Sequence, residues 1–254
     1  MERREITCQK EQGVAVININ AAPRDGDELT SLGDALAEVC ADIASESGIN
    51  VVIVTGEKDV FDIGTLQDRT VAVREEGAES RSITASISRL DCPVVAAIQG
   101  QVSGQGLELA LACDIRFATE RSSFCLPQLP AGSIPGDGGT QRLPRIVGKS
   151  MALELILTGR PIDGKEAHRI GLVNRLISPD ELMSVTMDVA RAMALQAPLG
   201  IRYAKEAICQ GMEMNIHQGL RLEADLYFLL HTTRDRREGI EAFRDKRKPE
   251  FEGR

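Results

Sequence analysis

The chain of 254 residues is 43% apolar and 27% charged, a composition that builds one large globular domain or two small ones. Its 38 acidic residues against 30 basic ones leave a net charge of −8, which argues against nucleic acid or an anionic membrane as the main partner. With 3% aromatic residues and no Trp, stacking on bases or sugar rings is excluded as the dominant mode of recognition.

Met1 leads into Glu-Arg-Arg-Glu and an alternating stretch rather than the apolar core of a secretory signal. No apolar run approaches the ~20 residues of a membrane span, so a cytoplasmic protein is expected. Residues 14–19 read as a strand. After a polar loop over 20–27, Leu29, Leu32, Leu36, Val39 and Ile43 recur at helical spacing, with Asp25 or Asp27 placed to cap that helix. Residues 50–55 form a continuous apolar run, the pattern of a strand buried on both faces. A polar segment follows over 57–79, where Gly64 and Gly77 break regular structure. Residues 93–98 predict a second buried strand, 100–106 a glycine turn, 107–113 a short helix, and 114–118 a return strand. From Asp137 onward the pattern is mainly helical, with amphipathic, mixed-charge stretches over 179–210 and 215–248. The expected organisation is an α/β domain with a helical C-terminal extension of the kind that packs on another subunit. Six cysteines, at 8, 40, 92, 113, 125 and 209, form no Cys-x-x-Cys pair and predict free thiols in a reducing compartment.

The most informative stretch is 93–114, where a buried strand runs through Gly-Gln-Val-Ser-Gly-Gln-Gly into a helix whose first turn carries Glu108. Backbone N–H groups at a helix start have no intrahelical partner and point outward at the positive end of the helix dipole. Such donors can hold an oxyanion, and glycines let a ligand approach closely. On its residues alone the stretch is equally compatible with a structural turn. It is not a dinucleotide loop, because Leu109 stands where the third glycine belongs, and Ser103 has the wrong spacing for a nucleophile elbow.

This stretch resembles the crotonase (enoyl-CoA hydratase/isomerase) superfamily motif, in which a strand, a glycine turn and a Glu-bearing helix build the acyl-CoA site. Val60-Phe-Asp-Ile-Gly64-Thr65 resembles the family's Phe-x-x-Gly loop, and the segment 124–143, ending Pro-Gly-Asp-Gly-Gly-Thr-Gln-Arg-Leu, resembles its second catalytic segment. Leu157-Thr-Gly-Arg, the stretch 167–173 and the stretch 239–251 resemble its C-terminal part. The resemblance implies an α/β fold, a spiral of ββα units over residues 1–195 with a helical trimerisation region over 196–254, assembled as a trimer or a dimer of trimers. It implies no separate cofactor, since CoA arrives as part of the thioester.

The resemblance also implies roles. The N–H groups of Thr65 and Gln105 would form the oxyanion hole for the thioester oxygen, and Glu108 would be an acid/base glutamate. The bland alternative for Glu108 is a first-turn acid that only complements the helix dipole. At the position of the family's second glutamate stands Gln128, which cannot shuttle protons near neutral pH. Asp137, in the same loop, is either a replacement acid or, preferably, an N-cap for the following helix. Arg142 and Arg145 are expected to pair on the surface. Gly64, Leu66, Gln67 and Asp68, with Gly106, would contact the substrate. Phe243 and Lys246 of a neighbouring subunit, and Arg24, would contact CoA. Lys246-Arg247-Lys248 offers a basic spot for phosphates or, equally, a solvated helix end. The three histidines, His168, His217 and His231, lack metal-ligand spacing, and no metal is expected. The leading expectation is hydration or dehydration of an enoyl-CoA. The alternatives are an isomerase, a decarboxylase or a hydrolase on the same scaffold, or a non-catalytic CoA-binding relative.

Overall fold

The computed structural model describes residues 6–20, 26–56, 61 and 82–254. The strands in chain order are β1 (Ile6–Glu11), β2 (Val14–Ile19), β3 (Val51–Gly56), β4 (Val94–Ile98), β5 (Gln101–Ser103), β6 (Ile115–Ala118), β7 (Ser123–Cys125), β8 (Ile162–Asp163) and β9 (Arg175–Leu176). Helices α1 (Gly26–Ser45), α2 (Ile83–Ser88), α3 (Gln105–Ala112), α4 (Gly139–Val147), α5 (Lys149–Thr158) and α6 (Gly164–Arg169) are interleaved with them. The helices α7 (Leu182–Ala194), α8 (Pro198–Gly211), α9 (Ile216–His231) and α10 (Arg234–Asp245) complete the chain.

Two sheets result, one in the order β1-β2-β3-β4-β6-β9 and a smaller one in the order β5-β7-β8. In the large sheet β1 is antiparallel to β2, and the remaining neighbours are parallel. Alternation along the parallel strands explains why they read as unbroken apolar runs. Ala15, Ile17, Val52, Val54, Val94, Ala96 and Ile98 turn to a core shared with Leu32, Leu36 and Ile43 of α1, Ile87 of α2 and Leu109 of α3. Their chain neighbours Val14, Val16, Val51, Ile53, Val95 and Ala97, with Phe117, meet Leu182 and Ala190 of α7 on the opposite face. A sheet covered on both faces has no polar alternation to display.

Several expectations need amending. Residues 100–106 are not a plain turn, since β5 lies inside them and pairs with β7, a partner twenty residues away that local pattern does not reveal. The alternating stretch near the N-terminus is an edge strand, β1, with one buried residue at its start. Asp27 lies inside α1 rather than at its cap, and Asp25 lies outside the described residues. Each long amphipathic stretch near the C-terminus splits in two, with Pro198 opening α8 and the Asn215 and Thr233 side chains capping α9 and α10.

The rear helices bury little. No residue of α8 is fully buried, and α9 contributes Leu226 alone. Ion pairs hold α8 to the body, Lys205 to Asp114 at 2.8 Å and Arg202 to Asp91 at 3.3 Å. Among the described residues no helix is long and apolar enough to cross a membrane.

Candidate active site

The candidate site grows from the junction of the two sheets. The chain leaves β4, runs through β5 and turns at Gly104, whose φ of 52° and ψ of −121° are easily adopted only without a side chain. No side chain caps α3 there, so the helix start keeps its N–H groups for another acceptor. The helix is held rigidly, because every residue from Gln105 to Leu111 is buried. Its far end is closed by Arg116, 5% exposed, which donates to the carbonyls of Cys113 at 2.6 Å, Ala110 at 3.3 Å and Leu172 at 2.8 Å. A cation over the last carbonyls complements the helix dipole. The same interior pushes the Cys113 thiol up to about 12 by burial, which keeps it protonated. Arg116 was not foreseen, although a basic residue inside the apolar run Ile-Arg-Phe-Ala was the visible signal.

Glu108, one turn into α3, is 1% exposed. Its Oε1 accepts the N–H of Asp137 at 2.7 Å and of Gly139 at 2.9 Å. Hydrogen bonds to a charged acceptor are worth about 1.5–3 kcal/mol each, so the pair offsets part of the cost of burying a carboxylate. A Cβ on residue 139 would lie 3.0 Å from Glu108 Oε1 and 2.8 Å from Pro135 Cβ, so the close approach of that N–H requires glycine. Gly106 lies buried in the same first turn.

Asp137 is not the cap of α4. Gly138 occupies that position without a side-chain cap, because the Asp137 carboxylate is drawn the other way, onto the start of α2. There it accepts the Ser82 hydroxyl, the Thr84 N–H at 3.3 Å and the Thr84 hydroxyl at 3.1 Å. Ser82 is itself the N-cap of α2. Arg142 does not sit on the surface either, since its guanidinium donates to the Asp137 carbonyl at 3.0 Å and to Thr84 Oγ1 at 3.2 Å. Arg145 does pair outside, with Glu213 at 3.2 Å.

Gln128 follows the end of β7. Because β5 and β7 are parallel with Ser103 opposite Cys125, and Gly104 N–H donates to the Cys125 carbonyl at 3.1 Å, positions 105 and 128 leave neighbouring strand ends. The Gln128 carbonyl accepts the N–H groups of Ala131 and Ser133, which folds the following loop back. Its side-chain Oε1 is buried without a hydrogen-bond partner, and so is the Oε1 of Gln105. The two amide oxygens are polar groups that a bound molecule could satisfy.

The family model for enoyl-CoA hydratase/isomerase matches residues 9–254. The chain belongs to that family. It is 36% identical to a crotonyl-CoA hydratase from Syntrophomonas wolfei over 99% of both chains. It is 37% identical to a short-chain-enoyl-CoA hydratase from Clostridium acetobutylicum over 98% of both. A crystal structure of an enoyl-CoA hydratase from Bacillus anthracis superposes with a TM-score of 0.85 at 33% identity, over 99% of this chain and 100% of that one. The α/β crotonase-like fold implied by the motifs is therefore the fold of this molecule.

The other positions expected to act in this hydratase/isomerase-family chain divide into two groups. Gly64, Thr65, Leu66, Gln67, Asp68 and Arg24 lie outside the described residues. Phe243 and Lys246 lie at the end of α10, where Phe243 is 87% exposed and Lys246 is the C-cap with φ 54°. The basic spot there is smaller than the sequence suggests, because Arg247 is held by Glu238 in a two-pronged ion pair. That pair, with the Glu250 N–H, brings the Glu238 carboxyl down to about 2.

Proposed function

We propose that the protein hydrates an enoyl-CoA thioester, with Glu108 as its acid/base residue. The carrying observation is the carboxylate of Glu108, buried at the start of α3 and gripped by the main-chain N–H groups of Asp137 and Gly139. In this reading the N–H groups of Thr65 and Gln105 hold the thioester oxygen as it gains negative charge, each worth about 3–4 kcal/mol of barrier. Water adds its oxygen to the β-carbon while Glu108 takes the water proton. The enolate then recovers a proton at the α-carbon and the thioester carbonyl reforms. Gln128 accepts a hydrogen bond from the water but cannot supply that proton. The Asp137 carboxylate already serves Ser82 and Thr84. Glu108 therefore returns the proton it took, so a single carboxylate carries both transfers. Gly64, Leu66, Gln67, Asp68 and Gly106 line the thioester. Arg24 and, from a neighbouring copy, Phe243 and Lys246 contact CoA in a cytoplasmic trimer or dimer of trimers. No cofactor beyond the substrate's own CoA is called for.

One observation favours a second reading. A double-bond isomerase needs only one carboxylate to move a proton between the α- and γ-carbons, which suits a site with Gln128 in place of a second acid. Crotonyl-CoA, a 3-enoyl-CoA and a malonyl-type thioester separate the possibilities. Hydration of crotonyl-CoA, lowered roughly 10²–10⁴-fold by Glu108→Gln, is the expected result. Turnover of the 3-enoyl thioester alone replaces hydration with isomerisation, and unchanged activity in the Glu108→Gln variant removes Glu108 from the chemistry. Gln128→Glu should raise hydration by restoring a second acid.

A further inference from the structure

We propose that Asp137 is a positioning residue that fixes the Glu108 carboxylate in register with the start of α2. The inference rests on the reading of Glu108 as the acid/base group. Asp137 faces two ways. Its main-chain N–H donates to Glu108 Oε1 at 2.7 Å, and its carboxylate accepts from Ser82 and Thr84 on the far side. The residue is 8% exposed, so these contacts replace water rather than compete with it. Arg142 closes the cluster by donating to the Asp137 carbonyl at 3.0 Å and to Thr84 Oγ1 at 3.2 Å.

The loop that presents the two donors to Glu108 is rich in glycine, and Gly138 in its middle has φ 101°. Such a backbone has no strong preference of its own for the conformation that aims N–H 137 and N–H 139 at one oxygen. The Asp137 side chain supplies what the glycines do not, by bolting the loop to a helix. Asp137 thus ties α2 to the loop that orients the proposed base, which an ordinary N-cap on α4 would not do, and the carboxylate does not cap α4. Its engagement with Ser82 and Thr84 also disqualifies it as a free replacement acid.

The test uses the full-length protein and three variants: Asp137→Ala, Asp137→Asn and Thr84→Val. Hydrogen–deuterium exchange is followed for the amides of residues 137–139 and, as an internal control, for β3 and β4. Steady-state kinetics are measured on whichever thioester the wild type turns over. Asp137→Ala and Thr84→Val should speed exchange over 137–139 at least tenfold with β3 and β4 unaltered. They should lower kcat at least tenfold with KM within threefold. Asp137→Asn keeps an oxygen that can accept from Ser82 and should recover most of both. Unchanged exchange at 137–139 overturns the inference. So does faster exchange spread equally over β3 and β4, which would make the contact one of general stability. Should Asp137→Ala fail to fold, Thr84→Val interrogates the same contact from α2. A wild type inert to every thioester defeats the proposed function, while the exchange readout still decides the role of Asp137.

Discussion

At Glu108 a buried carboxylate and its two main-chain donors pack so closely against Gly139 that a Cβ there has no room. Gly139 is the position where that crowding is most easily disturbed. A methyl group there meets Glu108 Oε1 at 3.0 Å and Glu108 Cγ at 3.2 Å, so the carboxylate or the loop must shift. Gly139→Ala should lower kcat at least tenfold and destabilise the fold by about 1–3 kcal/mol, the usual cost of overpacking. Thermal melting and steady-state kinetics measure the two effects separately, and a fully active variant would show that the Gly139 contact is dispensable. Glu108 was legible as a candidate only through the resemblance of its strand, glycine turn and helix to the family motif, since on its residues alone the stretch reads equally well as a structural turn. The partner of Asp137 was not. Asp before a helix is ordinarily a cap, and the competing hydroxyls of Ser82 and Thr84 lie more than fifty residues away, beyond the reach of any local rule.

Helix α3 joins the site to the interior, and its two ends do opposite work. The Gly104 end is left without a side-chain cap, while Arg116 satisfies carbonyls at the other end. Arg116→Met should leave the carbonyls of Leu172, Ala110 and Cys113 without their donor, at a cost of about 2–4 kcal/mol. Arg116→Lys should fall between, because an ammonium cannot span the same three acceptors in a plane. A melting temperature for Arg116→Met equal to that of wild type would contradict the assignment. The buried strands were readable as elements because both of their faces are apolar. Strand β5 was not, since three residues between glycines become a strand only through pairing with β7.

Over the whole molecule, apolar surface is unevenly placed. Ile208, Met212, Ile216, Leu220 and Phe228 on α8, α9 and the turn between them are exposed, as is Phe243 on α10. Isolated monomers rarely leave so many large side chains in water on one region of the chain. Sedimentation equilibrium should give three or six copies, and Leu220→Asp together with Phe228→Asp should lower that number. A monomer at micromolar concentration would refute the assembly. The α/β class and the helical rear were legible from hydrophobic pattern. The division into two sheets was not, because it depends on which distant strands pair.

The pairing of β5 with β7 has a consequence for the chemistry this scaffold can host. Neighbouring strands stand about 4.8 Å apart whatever side chains follow them. The pairing of Ser103 with Cys125 therefore fixes the separation of the two chain segments just before residues 105 and 128, whatever side chain residue 128 carries. Gln128→Glu should accordingly leave the β5–β7 pairing intact.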